Sequence, residues 1–409
     1  MNDAHPDTDS PYTADPEITR LAVAAMCDLH HPIKQQTAEW AAKTLVDPTL
    51  PERDVACRFW PEGWMQAADH GIHGLMIDPA YGGSGHDVIT ALLTFEGLGY
   101  GCADAGLAFA LSTQVWTTQP LLERFGSNEI RQRYLPGLAD GSIKGAFCIT
   151  EANSGSDTFS MSTTFTATDD ESATYVLNGV KSYVTMAPEA DVFIAFATQD
   201  PKLGQWGVTA FVVDAGADGL RVGPNRPKMG LRTTPFADVT FDNVRVGADR
   251  VLGSVGSGAA IFSTAMEAER AFVLAFQIGA MERQLDTAVR FSRERRQFDQ
   301  PIGDFQAVAH RLADMKLRHD NSRLQLYRSA MLFALGRPSM QAAALAKIQA
   351  SEAAVASSVD AVLTHGAQGY VTEFGVERDL RNTAGGVVYG GTSDVQRNIV
   401  ARMLTDGGH

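Results

Sequence analysis

The chain has 409 residues, 44% hydrophobic and 20% charged, with a formal net charge of −14. That length allows two or three structural domains around a sizeable core. The acidic balance excludes a general nucleic-acid binder, because nothing would broadly neutralise phosphates, and no apolar run is long enough to span a membrane.

In chain order, the first fifteen residues are polar and acidic and read as a disordered tail, neither a secretory signal nor an Arg-rich transit peptide. Glu17 to about Asp87 reads as helices joined by loops, punctuated by Pro51 and Pro61 and ending in LMIDPAYGGSG. By itself that glycine-rich loop is explained as well by turn geometry as by phosphate binding. Val88 to Leu111 carries small and apolar residues at helical spacing and predicts a buried helix bearing Glu96. Gly126 then closes one helix, and Ser127 caps the next, which puts Ile130 and Tyr134 on its inner face.

At about Gly145 the periodicity changes. GAFCITE, ATYVLNGVKSYVTMA, ADVFIAFAT, GVTAFVVD and FADVTFDNVRV are short β-rich runs, and Asn178-Gly179 predicts a hairpin turn. The expected order is a helical domain over 16–146, an antiparallel β domain over 147–251 and a second helical domain over 252–409. Ala265 to Gln306 predicts one long amphipathic helix, uninterrupted by proline until Pro301. Glu269 and Arg270 lie near its start, and Arg293, Arg295 and Arg296 near its end. The four cysteines, Cys27, Cys57, Cys102 and Cys148, have no metal or redox spacing; they read as reduced thiols of a cytoplasmic protein, with no metal site expected.

Solvated surface arginines would explain the basic cluster alone, but the longer run RERRQFDQPIGDFQAVAHRLADM resembles the signature helix pair of the acyl-CoA dehydrogenase family. Asp299 and Gln300 replace a glycine and a frequent lysine of that pattern. Further matches are Gly74 to Gly85, FCITEANSGSD (Phe147–Asp157), NGVKSYVT (Asn178–Thr185), and the C-terminal GAQGYVTEFGVERDLRNTAGGVVYGGTSDVQ. Ala152 and Asn153 depart from the second of these motifs. The resemblance implies an α+β subunit: an N-terminal helical domain, a middle antiparallel β-barrel-like domain and a C-terminal four-helix bundle. It also implies FAD as cofactor and a homo-oligomer, tetramer or dimer.

Residue by residue, the resemblance implies that Phe147, Ile149 and Thr150 lie against the flavin, with Thr150 bonding the pyrimidine side of the isoalloxazine. Ser156 would approach the pyrophosphate, Tyr183 would stack near the ring, and Thr185 would bond its N5 edge. Thr392 and Asp394 would approach the adenosine part. Arg295, Phe298 and Gln306 would hold FAD across a subunit boundary, where an arginine suits a pyrophosphate dianion, and Gln368 and Gly369 fall at further cofactor-binding positions. Arg270, Tyr389 and Gly391 fall at substrate-binding positions.

Gly390 is the informative departure. Most of the family has a glutamate there, which removes the α-proton of the thioester; glycine cannot. A minority branch, resembling isovaleryl- and long-chain-specific enzymes, carries the base on the long helix immediately before an arginine, and Glu269-Arg270 matches that arrangement. Glu267 lies about 200° around a helix from Glu269, so both cannot face one flavin. The expected reaction is α,β-dehydrogenation of an acyl-CoA, with Glu269 as base, flavin N5 as hydride acceptor and the backbone N–H of Gly390 at the thioester oxygen. An acyl group on an acyl-carrier protein is the first alternative. Flavin-dependent monooxygenase or oxidase chemistry on the same fold is the second, and a non-catalytic FAD-binding relative the third. Electron-transferring flavoprotein is the expected redox partner.

Overall fold

A computed structural model describes residues 16–28, 30–168 and 174–405. The acidic tail, 1–15, lies outside the described residues. Among the described residues the first α-helices are α1 (Pro16–Cys27), α2 (Pro32–Thr44), α3 (Leu50–Ala56), α4 (Pro61–Asp69), α5 (Val88–Gly101), α6 (Ala105–Thr113), α7 (Gln119–Phe125) and α8 (Asn128–Ala139). Pro32, Pro51 and Pro61 sit in the first turns of α2, α3 and α4, where a missing N–H costs nothing. Asp87, Asp104 and Ser127 cap α5, α6 and α8 through their side-chain oxygens. The single helix expected over 88–111 is therefore two. Asp104 caps a new start there, and its other oxygen takes a guanidinium N–H of Arg53 at 2.8 Å.

Between α6 and α7, Gln114–Thr118 forms a π-helical turn. Gln119 N–H reaches back to the Gln114 carbonyl, and Pro120 just beyond has no N–H to give. The widened turn displaces the register of the side chains that follow α6.

The sheet follows: β1 (Gly145–Cys148), β2 (Thr164–Ala167), β3 (Thr174–Thr185), β4 (Val192–Thr198), β5 (Val208–Asp214), β6 (Leu220–Val222), β7 (Phe236–Gly247) and β8 (Val251–Leu252). The strand order is β6-β7-β3-β2-β4-β5-β8, with β1 also on β4. Most pairs are antiparallel; β1 and β2 run parallel to β4, so the sheet is mixed. β4 is buried along its whole length: Ile194 and Phe196 enter one core, Phe193 and Ala195 the other. Asn178-Gly179 is not a hairpin turn. It lies inside β3, at a register shift against β7. Gly179 takes φ +148°, and a Cβ there would come 2.5 Å from Thr163 Oγ1. The positive φ that suggested a turn thus serves a bulge instead.

The second helical region holds α9 (Gly258–Phe272), α10 (Ala275–Glu294), the short hairpin β9 (Arg296–Gln297) and β10 (Gln300–Pro301), α11 (Gln306–Ala334), α12 (Met340–His365), α13 (Ala367–Tyr370), α14 (Val376–Ala384) and α15 (Ser393–Thr405). The long helix expected from Ala265 is interrupted at Val273–Leu274. The Val273 carbonyl accepts the Ser112 hydroxyl at 2.9 Å, and Gln277 N–H turns to the Leu274 carbonyl instead. The two helical regions meet at α5 and α10, where backbones touch. A Cβ on Gly99 would lie 1.7 Å from the Phe276 carbonyl oxygen, and one on Gly279 would lie 1.8 Å from that of Glu96. Beside this crossing the fully buried Glu96 carboxylate accepts Arg323 Nε (2.7 Å) and Tyr327 OH (2.8 Å), with Lys34 Nζ at 3.1 Å. This cluster ties α2, α5 and α11 together.

Candidate active site

Glu269 stands on the last turn of α9, beside the break that separates it from α10. Its Oε2 accepts the Thr117 hydroxyl at 3.3 Å, and the π-helical turn carries Thr117 to it. The residue keeps some accessible surface, but its carboxyl is enclosed by protein. Burial pushes that carboxyl up to about 7, against the Thr117 bond and the charges of Arg270 and Lys347, which favour the ionised form. Glu267 faces elsewhere and accepts the Ser339 hydroxyl at the start of α12.

Gly390 and Gly391 adopt φ +63° and +81°, the left-handed region that favours glycine. A Cβ on Gly390 would sit 3.6 Å from Glu269 Oε1 and 3.8 Å from Lys347 Cε. The Glu269 carboxyl therefore reaches the spot from which a side chain at position 390 would depart. Gln396, fully buried, donates to the carbonyls of Gly390 (3.0 Å) and Gly391 (3.2 Å) and holds the turn against α15. The Tyr389 hydroxyl and Arg270 Nε are buried here without a protein partner. The Tyr389 ring packs on Phe109, centroids 4.6 Å apart. Below Glu269, one helical turn on, Phe272 meets Trp116 (5.2 Å) and Phe333 (5.4 Å).

The remaining sheet residues sit where β1 and β3 end. Thr150 leaves β1, and its carbonyl accepts Ser182 N–H at 2.8 Å, which sets it beside the end of β3 with Tyr183 and Thr185. The junction is pinned from behind. Lys181, fully buried, bonds Glu151 Oε1 (2.8 Å) and the Ile149 carbonyl (3.1 Å). Glu151 also accepts N–H groups of Ser162 and Thr163, and these partners hold it down at about 2 despite burial. Tyr183 has φ +61° at a register shift between Lys181 and Val184, which turns its ring outward, 49% exposed, over Phe236. Phe147 packs on Phe196, Ile149 is buried, and Ser156 is exposed in the turn that follows the Glu151–Ser154 bridge, where the Ser154 hydroxyl donates to the Asp157 carbonyl.

Arg295, Phe298, Gln306 and Gln368 are not brought to Glu269 in this chain. α10 has 20 residues, about 30 Å of helix, between the break and Arg295. Arg295, Gln306 and Gln368 are exposed, Phe298 is 89% exposed at φ +51°, and Gly369 is buried. Thr392 caps the start of α15 by accepting Val395 N–H at 3.2 Å, and Asp394 is exposed beside it.

Sequence reasoning missed Thr117 and Lys347. Nothing local marks Thr117, because a π-turn from Gln114 has no sequence signature in VWTT. Lys347 had one: it interrupts the buried alanine stripe Ala342, Ala343, Ala346, Ala350 and Ala354 on α12, where a charge needs a reason.

Three family models cover the described domains in order: "Acyl-CoA dehydrogenase, N-terminal domain" over residues 28–142, "middle domain" over 146–244 and "C-terminal domain" over 256–405. The chain belongs to the acyl-CoA dehydrogenase family. It is 39% identical to an L-prolyl-[peptidyl-carrier protein] dehydrogenase of Pseudomonas fluorescens over 346 residues, 85% of this chain and 90% of the relative. Among solved structures it resembles butyryl-CoA dehydrogenase from Megasphaera elsdenii, with TM-score 0.87 and 33% identity over 91% of this chain and 98% of that one. It also resembles PigA with FAD and proline, with TM-score 0.86 and 32% identity over 97% of this chain and all of that one. This family is FAD-dependent, and the chain is an FAD-dependent acyl dehydrogenase.

The residues present fit that cofactor. An outward aromatic ring, Tyr183, and two hydroxyls, Thr150 and Thr185, line one edge of the sheet. On α15 the Ser393 hydroxyl and Gln396 Oε1 are buried without a protein partner.

Proposed function

We propose that this dehydrogenase uses Glu269 as the base that removes the α-proton of its acyl thioester. The supporting observation is the 3.6 Å between Glu269 Oε1 and the Cβ position of Gly390. The carboxyl occupies the working position of a residue-390 side chain while rooted on α9. A carboxylate raised to about 7 is a stronger base than an ordinary one and is still substantially ionised at neutral pH. The Gly390 N–H holds the thioester oxygen as charge develops there, and a glycine keeps that donor. Arg270, Tyr389 and Gly391 line the thioester; the unpartnered Arg270 Nε and Tyr389 hydroxyl offer it donors. Thr150, Tyr183, Thr185 and Ser156 hold FAD from the sheet side, and Thr392 and Asp394 hold it from α15. FAD, when bound, supplies the hydride acceptor. Arg295, Phe298, Gln306, Gln368 and Gly369 serve the cofactor of a second copy, in a cytoplasmic homo-oligomer that passes electrons to an electron-transferring flavoprotein.

The acyl group in this reading is short. Phe272, Trp116 and Phe333 close the inner face of α9 one turn below Glu269, and Phe109 backs Tyr389. The carrier has a second reading. The likeness to a peptidyl-carrier-protein dehydrogenase, together with unpartnered donors beside the base, supports a polar acyl group tethered to a carrier protein over a free fatty acyl-CoA. Anaerobic titration of the flavin-loaded protein tests both. Short acyl-CoAs and the same acyl groups on a carrier protein are compared by flavin bleaching, for the wild type and for Glu269→Gln. Bleaching of Glu269→Gln at the wild-type rate discards the base assignment.

A further inference from the structure

Lys347 is fully buried in the alanine face of α12 and is used by none of the steps above. Its ammonium donates to the Gly386 carbonyl, at the start of the turn that ends in Gly390. It lies over the Tyr389 ring, 5.5 Å from the centroid. Its Cε and Glu269 Oε1 approach the Cβ position of Gly390 from different helices, at 3.8 and 3.6 Å. One buried cation therefore holds the turn that offers the Gly390 N–H, and its stem flanks the same Gly390 Cβ position that the Glu269 carboxyl approaches.

We infer that Lys347 is a positioning residue with two separable parts, a tether that aims the Gly386–Gly390 turn and a charge that keeps Glu269 ionised. The inference rests on Glu269 being the base. The charged groups around the pair are few. On α9, Glu267 is engaged with Ser339, and Arg270 is the other cation near Glu269. On α12, Glu352 acts on Lys347 from one turn away, and its carboxylate is held by Arg397 of α15. Thr117 and Tyr389 contribute hydroxyls. Burial draws Lys347 down to about 8 while Glu269 is pushed up to about 7, so each steadies the ionised form of the other. A glutamate side chain at position 390 would be rooted within ordinary contact of Lys347 Cε; a base that arrives from α9 leaves that space between the two charged groups open.

The test is the pH dependence of flavin reduction by an acyl thioester in single turnovers, for wild type, Lys347→Arg, Lys347→Gln and Lys347→Met, each loaded with FAD. Lys347→Gln keeps a donor for the Gly386 carbonyl and removes the charge; Lys347→Met removes both; Lys347→Arg keeps both. The acid-limb midpoint should rise by about one pH unit in the Gln and Met variants, a loss of about tenfold in rate below it, and stay near wild type in the Arg variant. The Met variant should in addition lose limiting rate at high pH, where ionisation no longer limits. An unmoved midpoint in either neutral variant that carries flavin overturns the inference. So does failure of both neutral variants to fold while Lys347→Arg folds, since that leaves Lys347 a structural cation only. Glu269→Gln runs in parallel. If it keeps full turnover the base assignment falls; if it is dead and the Lys347→Gln midpoint is unmoved, only the part given to Lys347 falls.

Discussion

The Thr117 hydroxyl lies 3.3 Å from Glu269 Oε2, although Thr117 belongs to a π-helical turn 152 residues earlier in the chain. A hydrogen bond to the charged form favours ionisation. Thr117→Val, which keeps the shape, should raise the acid-limb midpoint of flavin reduction by about half to one pH unit and slow the reaction at neutral pH a few-fold. The flavin spectrum should be unchanged, because the Thr117 hydroxyl is spent on Glu269 and Val keeps its shape. A pH profile superimposable on wild type would show that the hydroxyl does not act on the base.

Glu269 also sets a cost in stability. Its carboxyl is raised from an ordinary 4.5 to about 7, so the native state binds that proton more tightly than the unfolded chain. The associated stability is complete below pH 4.5 and is lost as pH rises through 7. Glu269→Gln, which cannot ionise, should therefore be more stable than wild type at pH 8, by up to about 3 kcal/mol, and nearly equal to it at pH 5. Denaturant midpoints at the two pH values check this. The opposite ordering, with Glu269→Gln weaker at pH 8, would mean that the carboxylate is well paired in the resting enzyme.

Gly390 tests the turn. At φ +63° an added Cβ strains the backbone, while its nearest neighbours, at 3.6 and 3.8 Å, are at ordinary contact. Gly390→Ala should thus cost about 1–2 kcal/mol through backbone conformation without a clash. Relief of that strain re-aims the N–H at residue 390, and flavin reduction should fall at least about tenfold at all pH values. A fall confined to low pH would instead point to a disturbed Glu269.

Glu96 tests the frame. Its carboxylate, fully buried, is held below its ordinary range by Arg323 and Lys34 against the effect of burial. Removing it takes the carboxylate partner from the buried Arg323, while Lys34 keeps Glu282, so Glu96→Ala should cost about 3–5 kcal/mol. With its folded value depressed, the stability it gives is present above pH 4.5 and is lost as pH falls below that. Thermal unfolding of Glu96→Ala and Glu96→Gln across pH 4 to 8 measures both effects.

The parts legible in the sequence are those where function restricts several residues at fixed spacing. The run from Arg295 to Met315 falls into this class, as do the motifs around Thr150 and around Tyr183 and Thr185, and the structure brings Glu269 beside Gly390. The errors have a common cause: a distant group overrides a local preference. The helix expected from Ala265 breaks because Ser112, 161 residues away, takes the Val273 carbonyl. Asn178-Gly179 carries the sequence of a turn, but close approach of Thr163 uses its freedom for a bulge. Lys347 was overlooked because a single lysine on an alanine-rich helix reads as surface until the helix is seen to be enclosed.

In the proposed mechanism the acid is rooted on α9 and the oxygen-binding amide on the 385–391 turn, which splits two duties that one glutamate at position 390 would have joined. Each half then answers to a different piece of architecture: the acid to a rigid rod anchored through Thr117, the amide to a loop clasped by Lys347 and Gln396. On that proposal, substitutions in the loop would remodel which acyl groups enter without moving Glu269. For an enzyme designer the turn is the place to diversify, and the rod is the place to leave alone.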